Sequence, residues 1–280
     1  MKQYMVKHQI VNTYGSEFHS RLCEGEEFFD SHFHKNYEII LCIEGKCQLS
    51  VAGNNYELKK GQAAFIMPFQ IHSFHTEINS SVRYTTFHEA LILTLSRVLD
   101  GSIPESPIYT PTAETLGYFC SQSLKLFGKD SGMLRRISPP SKRLKAKGIL
   151  YSLESEFLEQ STFHKTHDTE AVVSKTLEYI SKNFKNNISL HTIATDMGYN
   201  YQYLSRTFNY TLGMRFKRLL NLYRLENALY NVLDTKKPIT EIAFESGFQS
   251  IRSMNKAFAD AFGCSPTELR RRDERLNDTN

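Results

Sequence analysis

The chain has 280 residues, 40% of them hydrophobic and 23% charged, a balance that excludes an intrinsically disordered protein. No apolar run approaches the ~20 residues of a transmembrane helix, and the length favours two domains. The net charge of +4 lies entirely in residues 169–280, where 16 Lys and Arg outnumber 12 Asp and Glu. An anionic partner is therefore expected to bind to this last part of the chain.

The N-terminus and the cysteines indicate a cytoplasmic protein. The residues after Met1 lack the continuous apolar segment of a signal peptide. The five cysteines are scattered and include no CxxC pair, which fits reduced thiols better than disulfides or a structural zinc site. We expect a cytoplasmic location and no membrane partner.

Residues 28–90 are predicted to form short β-strands. Runs rich in Phe, Ile, Val, Tyr and Thr occur at 37–43, 47–51, 63–67 and 82–87, with glycines or polar turns between them. Strands of this length and spacing are typical of a β-sandwich or barrel. The predicted domain covers residues 1–111.

Two amphipathic helices are predicted within residues 112–168, the second of them after Pro139-Pro140-Ser141. Their apolar positions are Leu116, Phe119, Cys120, Leu124 and Phe127 in the first helix, and Ala146, Ile149, Leu150, Leu153 and Phe157 in the second. These faces fit packing on the barrel or on a second copy of the chain. The polar stretch 160–169, with His164 and His167, is predicted to be a linker.

Residues 169–280 show a helical pattern throughout, with well-marked helix ends. Ser189 and Asn200 are candidate N-caps, and Gly198 supplies the positive φ that a helix stop requires. A helix of about 20 residues is predicted from residue 214, and the sequence SPTE at 265–268 marks the start of another. In the helix after Asn200, Tyr203, Leu204 and Phe208 are expected to face inward.

An internal repeat is the most informative feature of this helical part. The sequence IATDMGY at 193–199 recurs 49 residues later as IAFESGF at 242–248. With one inserted residue the match continues, so that Phe208 corresponds to Phe258 and Gly213 to Gly263. Each copy reads as helix, glycine turn and helix. This is the pattern of a helix-turn-helix, whose second helix enters the major groove of DNA.

The spacing of the two copies fits a DNA duplex. A connecting helix of about 20 residues is ~30 Å long, and one turn of DNA is ~34 Å. One chain could therefore place two recognition helices in successive major grooves. The alternative is a solenoid or protein-binding array of helical hairpins, which needs about three repeats to bury a continuous core.

Residues 170–272 resemble the AraC/XylS family of transcription regulators. The shared motifs are IA at 193–194, Gly198, YLSRTF at 203–208 and Gly213 in the first copy, and Ile239, IA at 242–243, GF at 247–248, Phe258, FG at 262–263 and SPTELR at 265–270 in the second. One segment departs from the family pattern: SMNK at 253–256 stands where such proteins carry an aromatic pair followed by Ser-Arg.

The resemblance implies a DNA-binding regulator, not an enzyme, that acts as an activator and a homodimer with RNA polymerase as a further partner. The implied DNA contacts are Tyr201, Gln202, Ser205 and Arg206 in the first copy and Ile251, Arg252, Asn255 and Lys256 in the second. Arg and Lys can donate to guanine, Gln and Asn can pair with adenine, and Ile can contact a thymine methyl group.

In the predicted barrel, HFH at 32–34, Glu38, Gly45, Gly61, Pro68 and His72 resemble a cupin signature. In cupin enzymes three histidines and a glutamate bind a divalent metal. Regulators similar to this chain instead bind a small effector in the barrel. We therefore predict that His32, His34, Glu38 and His72 line an effector pocket, with a carbohydrate as the first candidate effector and no cofactor. Any metal would be bound by the same four residues.

The predicted fold is an α+β multidomain chain. It has an N-terminal cupin-like β-barrel (1–111), a helical dimerisation segment and linker (112–168) and a C-terminal all-α domain with two helix-turn-helix units (169–280). Two alternative functions stay open. One is a metal-dependent cupin enzyme with a helical appendage, and the other is a DNA-binding regulator whose barrel is empty and serves only dimerisation.

Overall fold

The computed structural model of the chain describes residues 7–8, 17–92, 95, 98–99, 102–132, 134, 137–165 and 169–277. Contacts divide the chain into a barrel unit, Val11–Ser174, and a helical unit, Lys175–Asn280 together with Met1–Ile10. Within the described ranges, no helix combines the length and the hydropathy needed to cross a membrane.

The predicted α+β fold class is confirmed: the strands lie before residue 165, and among the described residues after 165 all regular elements are helices. The strands are β1 (Lys7–His8), β2 (Phe18–Glu24), β3 (Glu27–Phe33), β4 (Tyr37–Glu44), β5 (Lys46–Val51), β6 (Asn54–Lys59), β7 (Ala63–Ile66), β8 (His72–Thr76), β9 (Ser81–Phe87), β10 (Ile103–Pro104), β11 (Ile108–Tyr109) and β12 (Phe163–His164). The helices are a 3-10 turn at Glu89–Leu91, α1 (Ala113–Phe127), α2 (Pro140–Gln160), α3 (Thr169–Asn183), α4 (Leu190–Asp196), α5 (Tyr201–Leu212), α6 (Phe216–Asp234), α7 (Ile239–Glu245), α8 (Ile251–Phe262) and α9 (Pro266–Asn277).

Two antiparallel sheets form the barrel unit. In the first sheet β3, β8, β5 and β6 are neighbours in that order, and in the second sheet the order is β11-β7-β4-β9-β2. The predicted strand runs at 37–43, 47–51, 63–67 and 82–87 are confirmed as β4, β5, β7 and β9. Their neighbours β2, β6 and β8 were not singled out, because their short runs mix polar and apolar residues.

Strand β4 is the central layer of the unit, and its alternate residues serve two different cores. Ile40 and Cys42 point between the two sheets, into an apolar cluster that also contains residues of β5 and β8. Ile39 and Leu41 point to the other side, into a cluster shared with α1 and α2. Both faces of the strand are therefore buried, which explains why its sequence is a continuous apolar run.

Helices α1 and α2 pack against the second sheet. The ring of Phe157 stacks on Phe65 of β7 at 4.6 Å, and the ring of Phe127 stacks on Phe18 of β2 at 4.2 Å. Of the two predicted uses for these helix faces, the structure shows the packing on the barrel. Leu124 does not belong to this buried face, since 53% of its surface is exposed.

The predicted linker at 160–169 contains ordered structure. Strand β12 pairs with β10, so that His164 lies opposite Ile103. His164 is exposed and His167 lies outside the described residues. The polar composition of this stretch did not reveal the two-residue pairing within it.

The helix ends predicted in the helical unit are confirmed. The Ser189 side chain accepts a hydrogen bond from the Thr192 N–H at 3.1 Å, and the Asn200 side chain accepts one from the Tyr203 N–H at 3.2 Å. Glu268 and Ser265 cap each other in both directions at the start of α9. Each cap satisfies N–H groups that a helix start leaves without an intrahelical partner.

Helix α6 connects the two helix-turn-helix units and packs against both. It has 19 residues and is therefore ~28 Å long. Near its start Phe216 contacts Phe208 of the first unit, with ring centroids 6.1 Å apart. Near its end Leu225 and Ala228 share a buried cluster with Phe258 of the second unit.

The backbone after α3 fixes both the connecting helix and the second unit. The Arg224 guanidinium on α6 donates to the Phe184 carbonyl at 2.8 Å and to the Asn186 carbonyl at 3.0 Å. Gly247, in the turn of the second unit, packs so closely that an added Cβ would lie 2.7 Å from the Lys185 Cα. We call this contact region, residues 184–186 with Arg224 and Gly247, the backbone junction.

Gly247→Ala should destabilise the helical unit more than Gly198→Ala. Both glycines have a positive φ, +85° and +72°, so alanine introduces left-handed strain of about 1–2 kcal/mol at either turn. Only Gly247 meets neighbouring backbone, which adds ~1–3 kcal/mol of overpacking, since a Cβ at Gly198 would meet nothing within 4 Å. Urea unfolding of the two full-length variants, followed by far-UV circular dichroism, measures the difference. Equal midpoints would contradict the close approach.

Glu154 on α2 makes the stability of the barrel unit depend on pH. Burial raises the pKa of its carboxyl group from 4.5 to about 7, and its Oε2 makes no hydrogen bond to the described part of the chain. The folded state therefore holds this proton more tightly than the unfolded state. The contribution of this bound proton to the free energy of unfolding is fully present below pH ~4.5 and is lost as the pH rises through about 7.

Glu154→Gln should remove this pH dependence, because an amide does not ionise. We expect the variant to gain about 1–3 kcal/mol relative to the wild-type chain between pH ~4.5 and ~8. Thermal unfolding of both proteins across this range is the measurement. A constant difference at every pH would show that the buried carboxyl group does not titrate there.

Candidate functional site

The first recognition helix, α5, presents polar side chains on its outer face. Tyr201, Gln202 and Arg206 are exposed and Ser205 is half-buried. The opposite face carries the buried side chains Leu204, Thr207, Phe208 and Leu212. All four residues predicted to contact DNA thus lie on or beside the outer face of α5.

Tyr203 was expected to face inward, and this expectation is wrong. Its side chain is 42% exposed. The buried stripe of α5 runs through Leu204 and Phe208, four residues apart, and position 203 falls beside this stripe. The tyrosine instead lies near Tyr199, with ring centroids 6.3 Å apart.

The second recognition helix, α8, has a similar outer face. Arg252, Asn255 and Lys256 are exposed, and Met254 is buried. Ile251 is half-buried and packs against the apolar cluster of the second unit, so only part of its side chain faces outward. The Ser250 side chain caps this helix by accepting from the Ser253 N–H at 3.2 Å.

Five cations of the helical unit illustrate two different roles. Arg224 and Arg270 donate to main-chain carbonyls within the unit and serve the fold. Arg206, Arg252 and Lys256 on the recognition helices form no ion pair with any residue in the described ranges. These three charges are therefore available to an anionic ligand such as a phosphate backbone.

Sequence reasoning missed one neighbour of the first recognition helix. His191 near the start of α4 is exposed, and its ring centroid lies 5.6 Å from that of Tyr201. The available signal was the position of His191, two residues after the Ser189 cap in the helix that precedes the one beginning at Tyr201. The structure thus adds His191 and Tyr203 to the candidate contact surface.

In the barrel unit, the four predicted pocket residues come together from both sheets. His32 and His72 are paired across β3 and β8, with ring centroids 4.2 Å apart, and Glu38 comes from β4 of the second sheet. His34 directly follows β3. All four are buried, with exposed fractions of 1–3%, and one ligand atom from each lies within 4.8 Å of all the others. We call these residues the buried quartet.

Each imidazole of the buried quartet is oriented by the main chain. The hydrogen bonds from Nδ1 go to carbonyl oxygens two residues away: His32 to Asp30 at 2.7 Å, His34 to Asn36 at 2.8 Å and His72 to Gln70 at 2.9 Å. The other ring nitrogens of His34 and His72 approach the same Glu38 Oε2, at 2.7 Å and 3.1 Å.

The electrostatics of the buried quartet set its charge state. Burial, together with the neighbouring His72, lowers the pKa of His32 to about 3, so this imidazole is neutral. Burial by itself would raise the pKa of Glu38, but positive charge between its carboxylate and the Nε2 atoms of His34 and His72 holds this pKa below its usual value, so the carboxylate is charged. Three imidazole nitrogens and one carboxylate form a donor set that suits divalent transition metals.

Comparison with known proteins finds a matching family model for each unit. A family model described as AraC-like ligand binding domain matches residues 14–128, and one described as helix-turn-helix domain matches residues 193–272. The Msm operon regulatory protein of Streptococcus mutans is 23% identical over 271 residues, which are 93% of this chain and 92% of that protein.

Further matches cover the helical unit alone or most of the chain. An uncharacterized HTH-type transcriptional regulator of Staphylococcus aureus is 31% identical over 98 residues, which are 35% of this chain but 13% of that protein. A structure of ToxT from Vibrio cholerae is 15% identical with a TM-score of 0.45, and the match covers 91% of this chain and 98% of that chain.

Proposed function

The chain belongs to the AraC family of transcription regulators, and from this premise we propose that it binds an operator with both recognition helices under the control of a small effector. Its family makes it a DNA-binding regulator with a ligand-binding domain and not an enzyme. A relative of nearly the same length is named as the regulator of an operon, which supports an operon as the target of this chain.

The observation that carries the proposal is the pair of outward faces with unpaired cations. Arg206 on α5 and Arg252 and Lys256 on α8 are exposed and free of ion pairs in the described structure. Gln202 and Asn255 on the same faces have the amide groups that pair with adenine. The ~28 Å connecting helix is close to the ~34 Å turn of a duplex.

Arg206→Ala and Lys256→Ala should each weaken binding to operator DNA. A lost base contact costs about 1–3 kcal/mol and relaxes sequence preference, whereas a lost phosphate contact lowers the salt slope by about 1. Fluorescence anisotropy at several salt concentrations, with an operator identified by genomic footprinting, measures both effects. Lys182→Ala is the matched control, because Lys182 already pairs with Glu178 at 2.6 Å. Unchanged affinity in both recognition-helix variants would reject the assigned contacts.

We further propose that the regulator acts in the cytoplasm as an activator that recruits RNA polymerase when an effector binds to the barrel unit. A carbohydrate is the first effector class to screen. An effector acts only through different affinities for two states of the protein. In vitro transcription from the footprinted promoter, with and without each sugar, tests the activator role and the effector together.

We propose that the chain forms a homodimer through the outer surfaces of α1 and α2. Apolar side chains remain exposed there although the inner faces are buried against the barrel: Tyr118 (42%), Leu124 (53%), Leu144 (69%) and Tyr151 (37%). A second copy of the same helix pair could cover these side chains, since apolar surface of this kind favours association.

Leu144→Asp should shift the protein towards the monomer, because a carboxylate on the proposed interface would lose its hydration in the dimer. Light scattering coupled to size exclusion, over a range of protein concentrations, measures the shift. Ile78→Asp is the control, since Ile78 is equally exposed (73%) but lies in the turn between β8 and β9. A wild-type chain that stays monomeric at all concentrations would refute the dimer.

A further inference from the structure

The hydrogen bonds of the buried quartet fix which nitrogen of each histidine carries a proton. A carbonyl oxygen can only accept, so each Nδ1 that bonds to a carbonyl must be the donor. In a neutral imidazole the other nitrogen, Nε2, then has a lone pair and no proton. The carbonyls of Asp30, Asn36 and Gln70 therefore turn all three rings into acceptors on the side of the cluster.

These lone pairs meet another acceptor. The Nε2 atoms of His34 and His72 lie 2.7 Å and 3.1 Å from the Glu38 carboxylate oxygen, which also carries only lone pairs. Acceptors at such distances repel each other unless a cation lies among them. The carboxylate is fully buried, and an ionised group in the interior requires a compensating charge.

Protons could supply the positive charge, but the geometry disfavours this solution. A proton on both Nε2 atoms would create two imidazolium ions whose ring centroids are 5.0 Å apart. The ring centroid of His32 lies a further 4.2 Å from that of His72. Within the described chain His32 forms a hydrogen bond through Nδ1 but none through Nε2. Two buried cations next to one carboxylate leave a net positive charge that nothing in the quartet balances. A single proton balances the charge, but it leaves the second Nε2 lone pair facing the same carboxylate oxygen.

We propose that His32, His34, Glu38 and His72 bind one divalent transition-metal ion through three Nε2 atoms and one carboxylate oxygen. Ligand distances of ~2.0–2.2 Å allow at most ~4.4 Å between two ligand atoms of one ion. The widest spacing in the quartet, within 4.8 Å, must therefore shorten slightly, and the 2.7 Å contact between His34 and Glu38 must lengthen. Nitrogen and carboxylate ligands suit Zn²⁺, Fe²⁺, Ni²⁺ or Mn²⁺. The bonds from Nδ1 to carbonyls are the outer-shell contacts that orient metal-binding histidines.

The ion would join the two sheets of the barrel unit. His32 and His72 belong to the first sheet, whereas Glu38 belongs to the second. A gap of this size admits an ion but no sugar ring, so the quartet itself binds the ion and any organic effector contacts other residues of the unit. This inference rests on the proposed function in treating the barrel unit as a ligand-binding domain, and it names the ligand class of the quartet.

The test uses the untagged full-length chain, stripped with a chelator and then titrated with Zn²⁺, Ni²⁺, Mn²⁺ or Mg²⁺. We expect one equivalent of a transition metal by elemental analysis and a higher melting temperature, because a ligand of the native state stabilises it. Mg²⁺, which prefers all-oxygen sites, should have no effect.

Variants locate the ion within the quartet. Glu38→Gln keeps the side-chain volume, and His72→Ala removes one nitrogen; each should lose the metal, since even an outer-shell change costs 10–100-fold in affinity. His75→Ala is the matched control, because His75 also faces a carboxylate, that of Glu26 at 3.3 Å, but outside the quartet. Circular dichroism of each stripped variant shows that it is folded.

The outcomes separate this inference from the proposed function. A folded wild-type chain that binds none of these ions, or a folded Glu38→Gln variant that binds as well as wild type, overturns the metal site. Operator binding is measured in the same samples. A chain that binds the operator but no ion refutes the metal site alone, whereas a chain that binds the ion but no DNA refutes the proposed regulator alone.

Discussion

The contact of Arg224 and Gly247 with the backbone of residues 184–186 holds the two recognition helices in one arrangement. Arg224 donates hydrogen bonds from the middle of the connecting helix to two carbonyls of this backbone. Gly247 has no Cβ, so the turn of the second helix-turn-helix unit packs directly against the same backbone. A change in the angle between the two helix-turn-helix units would break these hydrogen bonds or open a gap between Gly247 and the backbone at Lys185. The two recognition helices therefore have a fixed spacing before DNA binds, and this preorganisation lowers the entropic cost of binding.

The division of the arginines and lysines between structural and exposed positions explains how a modest net charge can serve DNA binding. Arg224 and Arg270 are consumed by main-chain carbonyls, whereas Arg206, Arg252 and Lys256 are left on the two outer faces. The position of each charge matters more than the total of +4. The first recognition helix adds tyrosines to its surface, while the second carries Arg252 and Lys256, so the two copies of one motif offer different chemistry.

The barrel unit differs from the helical unit in that its candidate binding residues, the buried quartet, lie in the interior instead of on the surface. Strand β4 turns Ile40 and Cys42 into the space between the sheets, and Glu38 faces the same way two residues earlier. A carboxylate at this place would be costly without partners. The three histidines that surround it come from the opposite sheet or from the residue that directly follows β3.

Local signals allowed the sequence to determine much of this architecture. Caps such as Ser189 and Asn200, the glycine turns, the helix periods of Ala146 to Phe157 and the repeat itself all depend on residues near one another in the chain. Tertiary structure alone decided which surface those helix faces cover, that Leu124 and Tyr203 point outward, how closely Gly247 approaches Lys185 and which atoms of His32, His34, Glu38 and His72 converge. These features depend on distances between segments far apart in sequence, and a periodic pattern records only whether a residue is buried, not against what.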